Sequence, residues 1–154
     1  GPTFQRLLEN RDLNHAETLT CYRFVISDRN GTVSLEESSP MPGAACHKII
    51  EGDQIDAYKL DALVEMGLIP QPDWLLVDTD GHELAVLHGA TQTLKGIKGI
   101  QIETDPRNPD VPKEDTLAIH EALLEAGLVY EASYPHGELG VINVLYVNPE
   151  LATA

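Results

Sequence analysis

The sequence is short of cations, of thiols and of long apolar runs, and each shortage excludes something. Lys and Arg number 10 against 25 Asp and Glu, a formal charge of -15 over 154 residues. Such a surface repels phosphate backbones and anionic headgroups instead of releasing their counterions, so neither nucleic acid nor membrane is an expected partner. Cys21 and Cys46 are the only cysteines; they lack metal-type spacing and are too few for a disulfide framework, which fits a reducing compartment. No apolar run approaches the roughly 18 residues that span a bilayer. The start Gly1-Pro2-Thr3 carries neither the charged nor the apolar region of a secretory signal, and the expectation is a soluble, cytoplasmic protein. Repeats, low-complexity tracts and dividing linkers are also absent. What remains, 42% hydrophobic, reads as a single domain able to bury a sizeable core.

The order of elements carries the fold signal. Phe4 to Asn14 reads as a helix. Leu19 to Ile26, LTCYRFVI, is rich in strand formers and stops at the turn cluster Ser27 to Gly31; Thr32 to Leu35 is a short strand, and Ser38 to about Gly52 is expected to be loop. Asp56 to Met66 sets Leu60, Leu63 and Val64 at helical spacing before Gly67. Trp74 to Val77 is apolar without alternation, as for a strand covered on both faces, and is closed by Asp78-Thr79-Asp80-Gly81. From His82 to Leu94 a helical stripe runs through Leu84, Leu87 and Leu94, widened by Val86 and Ala90. Gly99 to Glu103 is again a short apolar strand ending on an acid, followed by a Pro-rich loop to Pro112. Asp115 to Ala126 is a helix with Leu117, Ile119, Leu123 and Leu124 inward. Leu128 to Ala132, a turn at Tyr134 to Gly137, and Val141 to Val147 form a closing pair of strands. The alternation predicts an α/β layered domain with a mostly parallel sheet, in which Trp74 to Val77 and Gly99 to Glu103 lie side by side.

In open parallel sheets the loops at the carboxyl ends of the strands converge on one crevice. Asp78 and Glu103 end neighbouring strands, about 4.8 Å apart, so their carboxylates share one rim and can bind a cation or act as a base. His82 follows on the first turn of the next helix, where an imidazole can take a proton near neutral pH. The alternative is structural: Asp78 and Asp80 cap that helix, Glu83 complements its dipole and His82 is merely exposed. The other histidines, His15, His47, His88, His120 and His136, are scattered without paired spacing and read as surface residues, not metal ligands.

The stretch Asp73 to Ala90, DWLLVDTDGHELAVLHGA, resembles the FkbM-type methyltransferases, in which an apolar strand leads to K-I-D-V-E-G-x-E and a helix E-x-x-V-L-x-G-A. Asp78, Gly81, Glu83, Val86, Leu87, Gly89 and Ala90 match, while Asp80 stands in place of the usual Glu and Leu76 in place of a frequent Lys. Asn14, Val25-Ile26-Ser27-Asp28 to Gly31, Leu60-Asp61-Ala62-Leu63 and Ile100 to Glu103 follow the family order. The resemblance implies a Rossmann-like fold, S-adenosylmethionine as cofactor, no metal, and methyl transfer to a hydroxyl oxygen of a sugar or natural product, that is, a small-molecule or glycan acceptor. On this reading Ser27, Asp28 and Asp78 are the residues expected at the cofactor; Asp28 can touch the adenine ring or be only a turn residue before Asn30-Gly31. His82 and Asp78 are the candidates for the base and its orienting carboxylate, with Glu103 lining the same pocket.

The family's opening strand, its D-x-G-A-N-x-G turn and its second strand have no counterpart, and Phe4 to Asn14 contains no glycine. Backbone approach to the cofactor needs such a turn. The chain reads as the later part of the domain, lacking the first two strands, with Gly1-Pro2 as a protease scar. Two other functions stay open: an inactive remnant that binds or oligomerises, and a nucleotide-sugar glycosyltransferase using Asp78-Thr79-Asp80 as a metal-binding D-x-D. An EF-hand fails, because position twelve counted from Asp78 is Gly89. Loss of two central strands leaves bare edges. The chain alone is therefore expected to self-associate or swap elements, as a homo-oligomer, and to bind S-adenosylmethionine weakly at best. Calorimetry beside an N-terminally extended chain checks this, and micromolar binding by a monomer would contradict it.

Overall fold

The computed structural model describes residues 2–37, 47–104, 113–136 and 141–152. The chain begins with α1 (Pro2–Leu13) and continues through β1 (Val25–Ile26), β2 (Gly31–Glu37), β3 (His47–Glu51), β4 (Ile55–Tyr58) and α2 (Leu60–Glu65). There follow β5 (Trp74–Val77), α3 (Glu83–His88), a single 3-10 turn (Thr93–Gly96), β6 (Gly99–Glu103), α4 (Lys113–Glu125), β7 (Val129–His136) and β8 (Val141–Val147). Among the described residues no helix is long and apolar enough to cross a membrane.

The strands form two sheets, ordered β1-β4-β2-β3 and β5-β6-β8-β7. Among the described residues only β1 with β4 and β5 with β6 run parallel; the pairs β2–β3, β2–β4, β6–β8 and β7–β8 are antiparallel. The class is α/β, but the expected mostly parallel sheet is replaced by two mixed ones. The reason is connectivity: β2 with β3, and again β7 with β8, are strands consecutive in the chain that pair antiparallel.

The core lies on one face of the second sheet. Ile100 and Ile102 of β6, Val144 and Tyr146 of β8 and Val77 of β5 meet Val86 and Leu87 of α3 and Ile119 and Leu123 of α4. β5 and β6 are adjacent and parallel as predicted, with Val77 opposite Ile102. β5 is not covered on both faces, however: Trp74 is 51% and Leu76 70% exposed. It is the terminal strand of its sheet, as β1 is of the other.

Several boundaries move, each for a long-range reason. Of Leu19 to Ile26 only Val25–Ile26 pairs, because β4 offers partners only at Ala57 and Tyr58. Part of the expected loop, His47–Glu51, is β3, zipped to β2; residues 38–46 lie outside the described ones. Asp56 to Tyr58 belong to β4, so α2 starts only at Leu60, where the Asn30 side chain accepts the Lys59 N–H at 2.9 Å. Gly67, at φ +68, ends this helix as predicted. In α4, Leu117 and Leu124 point outward and the buried stripe is Ile119 and Leu123. β7 continues through the expected turn to His136.

The helix expected over His82 to Leu94 stops at His88. Gly89 faces the carbonyl oxygen of Ser27, where any Cβ would collide with backbone. The Gly89 carbonyl accepts the Asp61 N–H at 2.9 Å. The Asp61 carboxylate then accepts the Gln92 and Thr93 N–H groups at 3.0 and 2.8 Å and the Thr93 hydroxyl at 2.7 Å. These bonds turn the chain into the 3-10 segment and tie α2 to it. Gly89→Ala is expected to destabilise the chain by about 1–3 kcal/mol, the usual scale of overpacking. Urea denaturation beside the exposed His88→Ala as control measures it, and an unchanged midpoint would show that the joint is loose.

Candidate active site

Continuing the β5–β6 register past Val77 and Ile102 brings Asp78 opposite Glu103. Both side chains leave on the same side of the sheet, the side of Leu76, because alternate residues share a face. Asp78 is exposed, Glu103 is half-buried, and the two are hydrogen-bonded. Two carboxyl groups can share a hydrogen bond only if one keeps a proton. Partial burial first, then the bond to Asp78 and its charge, then Glu83 and Asp80, push the Glu103 pKa up to about 7. Glu103 is therefore about half protonated near neutral pH.

The turn after β5 is held from inside. Glu83 is 2% exposed, and its carboxylate accepts the Thr79 N–H at 2.8 Å, the Thr79 hydroxyl at 3.0 Å and the Gly81 N–H at 3.0 Å. A buried carboxylate is tolerated when several donors satisfy it. Asp80 and Gly81 both take positive φ, +52 and +96; a short Asp adopts that conformation more readily than most side chains. The N-cap of α3 is His82, which makes no capping bond with its side chain. The expected capping of this helix by Asp78 is therefore not what the structure shows: Asp78 goes to Glu103, and Glu83 turns back to the loop.

His82 lies across from the end of β1. Its Nε2 is 3.1 Å from the Ser27 hydroxyl, and that hydroxyl donates to Asp28 Oδ1 at 3.2 Å. With Ser27 donating to Asp28, Nε2 carries the hydrogen toward Ser27 and Nδ1 keeps the lone pair. Ser27 is 1% exposed, so the arrangement is fixed on its protein side. Burial pushes the His82 pKa below the ordinary histidine value, assisted by Arg29 and opposed by the charges of Asp28 and Glu83. The imidazole is therefore neutral at pH 7. Arg29 pairs with Asp28 at 3.2 Å.

Sequence reasoning placed Asp78, Glu103 and His82 on one rim, and the structure brings the first two into contact. It links His82 to Ser27 and Asp28, not to Asp78 as expected. Asp61 and Glu83 had been noted only as matching residues or a dipole partner, and their bonding roles were missed. Their signal was an acid beside Gly, Thr and Ser donors, which sequence cannot resolve without knowing which loops meet. Among the described residues no group of three or more His, Cys, Asp or Glu is placed to hold a metal ion.

A family model described as the Methyltransferase FkbM domain matches residues 3–130. The chain is also similar to a hexuronic acid methyltransferase, AglP, of Haloferax volcanii, at 36% identity over 124 residues, 79% of this chain and 50% of that protein. It spans about half the length of that relative. No solved structure matches.

The shared proton makes a testable claim on stability. Glu103 has a folded pKa near 7 against an ordinary 4.5, so its proton favours the fold fully below about pH 4.5, and that contribution is lost as pH rises through 7. Glu103→Gln, a neutral isostere, should melt close to the parent at pH 4 and above it at pH 8. Thermal unfolding across this range checks the claim, and a difference independent of pH would remove the shared proton.

Proposed function

Since the chain belongs to the FkbM methyltransferase family, we propose that this rim serves methyl transfer from S-adenosylmethionine to a hydroxyl oxygen of a sugar or natural-product acceptor. The observation that carries the reading is the buried Ser27, whose hydroxyl lies 3.1 Å from Nε2 of His82 and so leaves Nδ1 to act as the proton acceptor. That the Haloferax relative is named for a sugar acid supports a sugar acceptor. The compartment is proposed as the cytoplasm.

The fit to the cofactor is partial. Asp28, its side chain 43% exposed at the end of β1, can accept hydrogen bonds from an amino or hydroxyl group of the nucleoside. Ser27 is committed to His82 and Asp28, and so acts on the cofactor only through them. Asp78 lines the rim while bonded to Glu103. The Gly-rich turn that would cradle the amino-acid end has no counterpart in the sequence. β1 and β5 each end a sheet, which is what the absence of two strands between them would leave. In this reading that turn is supplied from outside these 154 residues, or a second copy of the chain covers the edges.

When bound, the cofactor supplies an electrophilic methyl group. His82 Nδ1 takes the proton that the acceptor hydroxyl gives up as its oxygen gains the methyl. Ser27 and Asp28 hold the ring in the productive tautomer and stabilise the imidazolium that forms. Asp78 and Glu103, with one proton between them, can accept one acceptor hydroxyl and donate to another. Because the His82 pKa is lowered, the base is already free at neutral pH, and turnover should fall only as pH drops through that lowered value.

His82→Gln and Asp78→Asn, made in the protein with its Gly-rich half, should fold normally and lose on the order of a hundredfold or more in turnover. Binding of S-adenosylmethionine by the His82 variant should be little changed. Unaltered turnover in Asp78→Asn would remove Asp78 from the mechanism and turn attention to Asp80, Glu83 and Glu103. If no version of the chain binds the cofactor, the inactive remnant becomes the better reading.

A further inference from the structure

α3 is 6 residues long, and both of its ends meet the same serine. At its start His82 Nε2 lies 3.1 Å from the Ser27 hydroxyl. At its end Gly89 sits so close to the Ser27 carbonyl, with the Lys59 backbone beside it, that no Cβ fits. Ser27 is itself fixed, fully buried and donating its N–H to the Tyr58 carbonyl at 2.9 Å. The helix is thus seated on the end of the first sheet, and Asp61 holds its far end there. The Asp61 N–H donates to the Gly89 carbonyl at 2.9 Å. One carboxylate oxygen accepts the Thr93 N–H and hydroxyl at 2.8 and 2.7 Å; the other accepts the Gln92 N–H at 3.0 Å and the Thr91 hydroxyl at 3.1 Å. Asp61 therefore grips the chain on both sides of the buried Ala90. Gln92, the N-cap of the 3-10 turn, makes no capping bond of its own, so this carboxylate caps the turn from another element. None of these bonds goes to a residue of the rim.

We infer that Asp61 is a positioning residue for His82: it clamps Gly89 against Ser27 and so seats α3 where the Ser27 hydroxyl holds the imidazole. Only the effect on turnover rests on reading His82 as the base; the effect on the ring does not. So short a helix does not hold itself together in isolation, and the contacts at its two ends decide where it lies. The need for an acid follows from the donor set. Two backbone N–H groups and two hydroxyls converge on Asp61, and an ionised carboxylate has lone pairs for all four. An Asn in its place keeps one acceptor oxygen and turns its NH2 on the remaining donors. The backbone bond to Gly89 survives that change, so the clamp loosens without being removed. The charges that act on the imidazole are those of Asp28, Glu83 and Arg29; Asp61 acts on it through α3.

Titration of the His82 ring, followed by NMR in the full chain and in Asp61→Asn, tests this. Burial holds the His82 pKa below the ordinary histidine value. Loosening α3 admits water and should raise it toward that value, whereas the mere loss of a negative charge would lower it, so the sign separates the two effects. The His120 ring, bonded to the Tyr146 hydroxyl, should titrate as in the parent. Ile119→Val, which weakens the core at α4 without touching the clamp, should leave His82 unchanged. If Asp61→Asn does not fold, Thr93→Val removes one of the four donors and should raise the His82 pKa by a smaller step. In the protein with its Gly-rich half, Asp61→Asn should lower turnover at neutral pH by about tenfold or more, the scale of a misplaced group, and shift the acid limb of the pH profile upward with the ring. A raised His82 pKa with unaltered turnover would leave the clamp standing and take His82 out of the reaction. A His82 pKa unchanged or lowered in the folded variants, or raised as much by Ile119→Val, would overturn the assignment.

Discussion

The structure turns on the contact between Gly89 and the carbonyl of Ser27. β1 and α3 belong to elements far apart in the chain, and they approach so closely there that no side chain fits between them. Three consequences follow from one missing Cβ. α3 ends after two turns, the Asp61 N–H reaches the Gly89 carbonyl, and Ser27 comes within hydrogen-bond reach of His82 at the other end of the same short helix. The bonds of the Asp61 carboxylate then fix the far side of the joint. Burial acts to raise its pKa, but the Gln92 and Thr93 N–H groups and the Thr93 and Thr91 hydroxyls outweigh that and hold it below the ordinary aspartate value. The charged form is the one the fold selects, so this joint weakens as pH falls through that lowered value.

Glu83 and Glu103 show how differently the same group can be held. Glu83 is almost wholly buried, yet three donors from its own loop face it, and the turn it stabilises sets the positions of Asp78 and His82. Glu103 is more exposed, yet its partial burial first and then a neighbouring carboxyl, Asp78, keep its proton on near neutral pH.

The strands β5, β6 and β8 were legible to the residue, because each is an apolar run bounded by acids, glycine or polar turns. So were the closing glycines Gly67 and Gly127, both at positive φ. What failed was whatever depended on a neighbour distant in sequence. Asp56 to Tyr58 have a passable helical pattern, and only the presence of β1 and β2 on either side makes them a strand. Nothing local announces that Gly89 meets Ser27. Trp74 and Leu76 read as buried because apolarity was taken for coverage, and β5 is an edge. Asp78 and Glu103 follow the adjacent parallel strands β5 and β6 as expected. The partner expected for His82 was Asp78, but its ring nitrogen meets Ser27, 55 residues away and just past β1 of the other sheet.

β6 carries two chemistries by strand alternation alone. On one face Gln101 and Glu103 look toward the open side of the sheet, beside the exposed Trp74 and Leu76 of the edge strand. On the other, Ile100, Ile102 and then Thr104 run along the core toward α4, where the last of them enters an uncharged cavity. Five residues of strand are enough to isolate the two, because the sheet itself is the barrier: one layer of backbone, with its polar groups consumed in pairing, separates an anionic rim from an apolar pocket. The alternation of β6 alone thus keeps Glu103 away from the groove that Thr104 lines beside α4.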